Sequence, residues 1–215
     1  MIGIFKRKQV KDRNSSVPTN NSRSLFKESI SFIGIILLAF IFAFLITNYV
    51  FRSYEVDGSS MVPTLQNGDK LIVWKVPRTW AEITGHQYVP KRGDIIIFNE
   101  SNLSSCGQTS SKQLIKRVIG LPGDKVVINN GVVTIYDKEY PHGFEPDNQL
   151  SYNKTHFIQP STPNETIQLN SHQLFVMGDN RPISCDSRRF GPINTNQVIG
   201  QLVLRVLPLS EAKAF

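Results

Sequence analysis

The chain has 215 residues, a formal charge of +7, 40% hydrophobic residues and 19% charged residues. That length suits one compact domain with an appendage, and the composition excludes a globally disordered polymer. The charge is local: ahead of Ser29, Lys6, Arg7, Lys8, Lys11, Arg13, Arg23 and Lys27 face only Asp12 and Glu28, so the remaining 187 residues carry only +2. A nucleic-acid-binding domain needs its basic excess along a folded surface, which argues against that class.

In chain order, residues 1–29 read as a basic, cytoplasmic tail, with Asn14–Ser22 polar and flexible. Its cations set topology and are also suited to anionic lipid. Residues 30–51 carry no charge and are rich in Ile, Leu, Phe and Ala. As a helix they would extend about 33 Å, enough for a hydrocarbon core of roughly 30 Å. The apolar core of a cleaved signal peptide is shorter, about 7–15 residues, and ends in small residues. This segment ends in Asn48-Tyr49-Val50-Phe51-Arg52, which favours an uncleaved transmembrane helix. The basic flank then predicts a cytoplasmic N-terminus and an extracytoplasmic domain over residues 52–215.

Beyond Arg52 the pattern becomes strand-like. Lys70–Lys75, Asp94–Phe98, Lys125–Ile128, Gly131–Tyr136, Gln173–Met177 and Val198–Val206 are short and β-branched, with turn formers between them. Asn130-Gly131 between two apolar runs predicts a two-residue hairpin. With no long amphipathic helix outside the membrane, a mainly β domain of antiparallel sheet is expected. His142–Thr166 is polar and Pro-punctuated, an irregular insertion.

Two segments carry chemistry. Gly58-Ser59-Ser60-Met61-Val62-Pro63-Thr64 offers a serine on a turn stiffened by Pro63, and Lys116 is flanked by Leu114, Ile115, Val118 and Ile119. Burial in such apolar surroundings disfavours a charged lysine, and a neutral amine can take the proton of a serine hydroxyl. The plainer readings are an ordinary turn serine and a surface lysine. Strand alternation puts Lys116 and Val118 on one face. Downstream lie Gly178-Asp179-Asn180-Arg181 and Ser184, Asp186, Ser187 and Arg188, which also read as a polar turn after a strand.

Together these segments resemble bacterial type I signal peptidase, a Ser-Lys dyad protease family, over about Tyr54–Gly200. The resemblance implies a mainly β Ser-Lys protease domain behind one N-terminal transmembrane helix in the bacterial cytoplasmic membrane. It makes Ser60, directly before Met61, the nucleophile in preference to Ser59, and Lys116 the general base. It implies that Ser184 hydrogen-bonds the lysine amine, that Asp186 and Arg188 form an ion pair, and that Arg117 and Gly178 support the site. Tyr54, Val56, Met61, Leu65 and Ile115 would bind substrate, leaving room only for small side chains at −1 and −3. Pro182-Ile183 replaces polar residues often found in that box. Gly58 stands where some relatives carry a serine that assists the oxyanion, so the second oxyanion donor is left open.

The partners implied are secreted preproteins and the lipid bilayer, with the protein-export machinery by proximity. No nucleic acid, metal or organic cofactor is implied. His86, His142, His156 and His172 fall in no triad or zinc motif. Cys106 and Cys185 could pair outside the cytoplasm, which spacing alone does not decide. Ala212 and Ala214 match the −3 and −1 preference, either by coincidence in a mobile tail or as a self-substrate. Two other functions fit parts of the pattern. A self-cleaving repressor-like Ser-Lys protease would need a DNA-binding helical domain, and a catalytically inactive membrane-anchored binding module would not need Ser60 and Lys116. A lipoprotein-type signal peptidase would need several spans with paired aspartates.

Overall fold

The computed structural model describes residues 21–107, 110–146 and 164–215, with side chains from residue 31 onward. His156 and most of the expected insertion lie outside the described residues. The chain divides into two units, Met1–Phe44 and Leu45–Phe215. Helix α1 (Asn21–Leu45) leads into a single π-helical turn, Ile46–Val50. Within it the uncharged stretch Ser31–Val50 has a mean hydropathy of 2.5 and buries none of its side chains against the protein. Its 20 residues match the thickness of a bilayer core. Phe51, read from sequence as the last residue of the apolar segment, instead opens the first strand, because its backbone turns extended after the π turn.

The second unit is built from antiparallel strands. β1 (Phe51–Glu55) pairs with β2 (Lys70–Trp74), and α2 (Val76–Thr84) follows directly. Then come β3 (Ile95–Glu100), β4 (Lys112–Gly120), β5 (Lys125–Asn129), β6 (Val132–Tyr136), β7 (Glu165–Gln168) and β8 (Gln173–Met177). A short helix, α3 (Ser187–Phe190), precedes β9 (Ile193–Asn194), β10 (Val198–Leu207) and β11 (Lys213–Ala214). The main sheet runs β1-β2-β10-β3-β4-β8-β9, with β11 added to β10, and a smaller sheet runs β6-β5-β7. The expected mainly β, antiparallel architecture is the one observed.

The hairpin at Asn130-Gly131 forms as its residues dictate: both sit at positive φ, 49° and 81°, and Asn129 pairs with Val132. Helix α2 escaped the sequence reading because only Ala81 of its nine residues is buried, too little for an apolar stripe. Gly85 stops it in the left-handed region. Strands β1 and β7 also escaped it, since their exposed, polar residues show no strand alternation of burial.

Core clusters lie on both faces of the main sheet. Ile96, Phe98, Val118 and Val176 pack on one, and Ile119, Phe175 and Met177 join Val126 and Ile135 of the small sheet. A third cluster gathers Val56, Met61 and Leu65 with Leu71, Ile95 and Leu202. Fully burying each such side chain stabilises the fold by about 1.5–3 kcal/mol, so this cluster clamps the β1–β2 loop onto the sheet. The C-terminal residues are not a mobile tail: Lys213 and Ala214 pair with Arg205 and Leu204, and the amide of Phe215 donates to Val203 O at 3.1 Å.

Candidate active site

Ser60 sits in the loop between β1 and β2, which is closed at its base by Val56 N to Asp69 O (2.9 Å) and Gly68 N to Val56 O (2.8 Å). Gly58 turns the chain at φ 102°, a conformation an L side chain resists. Its amide donates to Asn67 Oδ1 at 2.8 Å, so Gly58 N is already engaged and is not the second oxyanion donor. Met61 and Leu65, on either side of Pro63, are only 1% and 0% exposed and anchor the turn.

Lys116 lies in the middle of β4, opposite Ile96 of β3. It is 3% exposed, and its Nζ donates to Ser60 Oγ at 2.7 Å. Burial pulls its pKa from 10.5 down to about 8; the Asp186 and Asp179 carboxylates raise it in part, and Arg188 lowers it. An amine of that pKa is about half neutral near pH 8. The same contact, with the hydroxyl then donating, lets it accept the serine proton.

The segment after β8 grips both halves. Asn180 N donates to Ser60 O at 3.0 Å, and Asn180 Nδ2 donates to Ser59 O at 3.1 Å. Asp179 receives two bonds from Arg117, at 2.8 Å from Nε and 2.6 Å from the terminal nitrogen, while Arg117 also donates to Gly93 O. Asp186, fully buried, accepts from Gly178 N at 3.1 Å and from Arg188 Nε at 2.9 Å, and caps α3 through Arg188 N. Ser187 Oγ accepts from Val176 N. Asp179, Asn180 and Ser187 were not singled out from the sequence, although all three lie inside the two polar runs quoted there.

Two expectations are corrected. Ser184 is buried beside Gly178, but its Oγ has no hydrogen-bond partner among the described residues, because the lysine amine is directed to Ser60. Met61 and Leu65 do not line the cleft at Ser60, because both are consumed by the core beneath the loop. That cleft, of about 250 Å³, is walled by Tyr54, Val56 and Ile115 together with Leu71 and Ile97. The pairing that spacing left open is made: Cys106 and Cys185 are bonded, with Cα atoms 6.0 Å apart, tying the turn Ser104–Cys106 to the segment between Ser184 and Asp186.

A larger cavity, of about 710 Å³, lies beside Arg92, Asp124, Asp137 and Phe144. Arg92 there is occupied by ion pairs to both aspartates, and among the described residues no serine, cysteine or histidine lines it. The Ser60–Lys116 contact lies at the smaller cleft, which both residues line.

A serine hydroxyl against a buried lysine, on an antiparallel β domain, is an arrangement suited to acyl transfer without histidine. Residues 29–207 match the family described as signal peptidase, peptidase S26. Signal peptidase IB of Staphylococcus aureus (strain COL) is 30% identical over 200 residues, covering 87% of this chain and 94% of that protein. A probable signal peptidase I-1 of Synechocystis is 32% identical over 200 residues, covering 92% of this chain and 90% of that protein. A crystal structure of a signal peptidase I from Enterococcus faecalis V583 is 27% identical, with a TM-score of 0.37, covering 53% of this chain and 97% of that one. The chain belongs to the signal peptidase family, peptidase S26.

Proposed function

We propose that this protein is a membrane-anchored serine endopeptidase that removes N-terminal signal peptides from exported preproteins by a Ser60–Lys116 dyad. The observation that carries the reading is the 2.7 Å contact between Ser60 Oγ and the amine of a buried lysine whose pKa is pulled down to about 8. Neutral Lys116 takes the hydroxyl proton as Ser60 Oγ attacks the scissile carbonyl. The tetrahedral oxyanion is met by the Ser60 amide. Collapse breaks the C–N bond, the new amino terminus leaves with the proton from the Lys116 ammonium, and an acyl ester remains on Ser60. Water, deprotonated by the same amine, then hydrolyses that ester and restores the hydroxyl.

The substrate lies extended in the cleft, with backbone hydrogen bonds for affinity and alternate side chains for selection. Tyr54, Val56 and Ile115 restrict the cleft, which favours small residues at −1 and −3. Met61 and Leu65 act from beneath, by supporting the loop. Asp186, Arg188, Arg117 and Gly178 hold the geometry. Residues 1–29 lie in the cytoplasm, the apolar helix spans the bilayer, and the β domain faces outward, close to where translocated cleavage sites emerge.

Cleavage of a preprotein in detergent by wild type, Ser60→Ala and Lys116→Ala tests the reading. Both variants should lose activity by at least about 10³-fold, the scale of loss when one member of such a unit is removed. Processing by Ser60→Ala at the wild-type rate would remove Ser60 as the nucleophile, and no cleavage by the wild type would leave only a binding module.

A further inference from the structure

The apolar span does not end abruptly; the fold adds a second element at its outer end. Lys75, the residue before α2, donates its amide to Val50 O at 2.9 Å and its amine to Asn48 O at 2.6 Å. Thr79 Oγ1 of α2 donates to Tyr49 O at 3.4 Å. Helix α2 is therefore fastened to the last residues of the span by three bonds from two side chains and one amide.

This helix is small and sharply two-sided. Its inner face buries Ala81, while Trp80 and Ile83, three residues apart and hence neighbours on one face, are 66% and 74% exposed. Arg78 and Glu82 form an i,i+4 ion pair. Beside it, Phe51 and Trp74 face each other in the β1–β2 register, and both are exposed, as is Tyr49. Four aromatic side chains and an isoleucine thus stand in solvent around the point where the apolar segment ends. Leaving such groups in water is costly, whereas tryptophan and tyrosine favour the bilayer interface, where the ring is apolar and its N–H or O–H stays hydrated.

We propose that α2 is an interfacial helix that lays Trp80 and Ile83 into the outer headgroup–acyl boundary, making a second membrane contact beside the span. The occupant is lipid, because α2 is bonded to Asn48, Tyr49 and Val50, the last residues of the apolar stretch Ser31–Val50, and Tyr49 and Phe51 at that point are exposed as well. Arg52, the residue after Phe51, adds a cation suited to lipid phosphates. An interfacial helix buries its apolar face to a depth of about 5–10 Å. With α2 held there, the β1–β2 pair that begins at Phe51 is fixed against the membrane surface, and so is the loop carrying Ser60 at its far end. This inference rests on the membrane-anchored reading above and adds an orientation to it.

The chain has two tryptophans, Trp74 and Trp80, so fluorescence reads the site directly. Full-length protein is reconstituted in vesicles of phosphatidylethanolamine and phosphatidylglycerol with brominated acyl chains. The Trp80 signal is taken from the Trp74→Phe variant and, independently, from the difference between wild type and Trp80→Phe. Trp80 emission should be quenched by bromine near the headgroup end of the chain, less by bromine at the chain end, and should resist aqueous iodide. Quenching by iodide without quenching by bromolipid would put α2 in water and overturn the proposal. Shielding from both quenchers would mean that protein covers it, with the same consequence. Carbonate-resistant flotation with the vesicles reports the span separately, and cleavage of a short soluble peptide reports the protease. Protein that is embedded and active but unquenched defeats the interfacial helix alone; protein that fails to float or to cleave defeats the underlying reading.

Discussion

Lys116 sits on a strand whose neighbours on the same face, Leu114 and Val118, are apolar, and the polar groups around it come from a different part of the chain. Its depressed pKa has a thermodynamic counterpart. The unfolded chain binds this proton more tightly than the folded one between about pH 8 and 10.5, so burial of Lys116 costs stability below that window and the cost disappears above it. Gly178 illustrates how little room the arrangement leaves. A Cβ at that position would stand 2.5 Å from Ser60 O and closer still to Ser184 Oγ. Because the first contact is to backbone, Ser60 itself must shift. Gly178→Ala should therefore lower kcat/KM on a preprotein by about 100-fold, the scale expected for a misplacement near 1 Å. Steady-state kinetics beside a thermal melt checks this; an active Gly178→Ala enzyme would mean that Ser60 is not held where the structure puts it.

At the scale of elements, β4 and the segment following β8 form one unit. Register pairs Arg117 with Met177, which sets the guanidinium beside Asp179 and lets both of its oxygens be used. Removing one partner of a buried, hydrogen-bonded pair costs about 3–5 kcal/mol, because the other charge is left unpaired. Asp179→Ala should lose stability on that scale in urea unfolding. It should also move the acid limb of activity to lower pH, since the Asp179 carboxylate is one of the groups raising the Lys116 pKa. An unchanged limb would disconnect Asp179 from the dyad. The sequence could show that Asp179 and Asn180 belong to a polar run, but not that one clamps Arg117 and the other holds Ser60 O. Those roles follow from the strand order, which places β8 beside β4 although 52 residues separate Gly120 from Gln173. Likewise β1 and α2 stayed hidden because their stability comes from pairing and from attachment to the span, with little apolar periodicity of their own.

For the whole molecule, the strands with buried alternate residues, the hairpin and the apolar span were legible, because each is decided by neighbours in sequence. The Ser60 and Lys116 positions were legible only through the resemblance; the residues alone left a turn serine and a surface lysine open. The identity of the cleft walls was half legible: Tyr54, Val56 and Ile115 line it, whereas Met61 and Leu65 are equally apolar and are claimed by the core. Hydrophobicity does not distinguish a pocket wall from the packing beneath it. The proposed active arrangement needs the β1–β2 loop, β4 and the segment after β8 assembled together, and its signature would be a lysine that titrates at about 8. The pH dependence of kcat/KM for cleavage of a preprotein by the wild-type protein measures that property directly. Activity should rise with pH along a limb of apparent pKa about 8, as Lys116 loses its proton. A limb near the ordinary lysine value of about 10.4, or a carboxylate-like one near 4, would contradict a neutral Lys116 acting on Ser60.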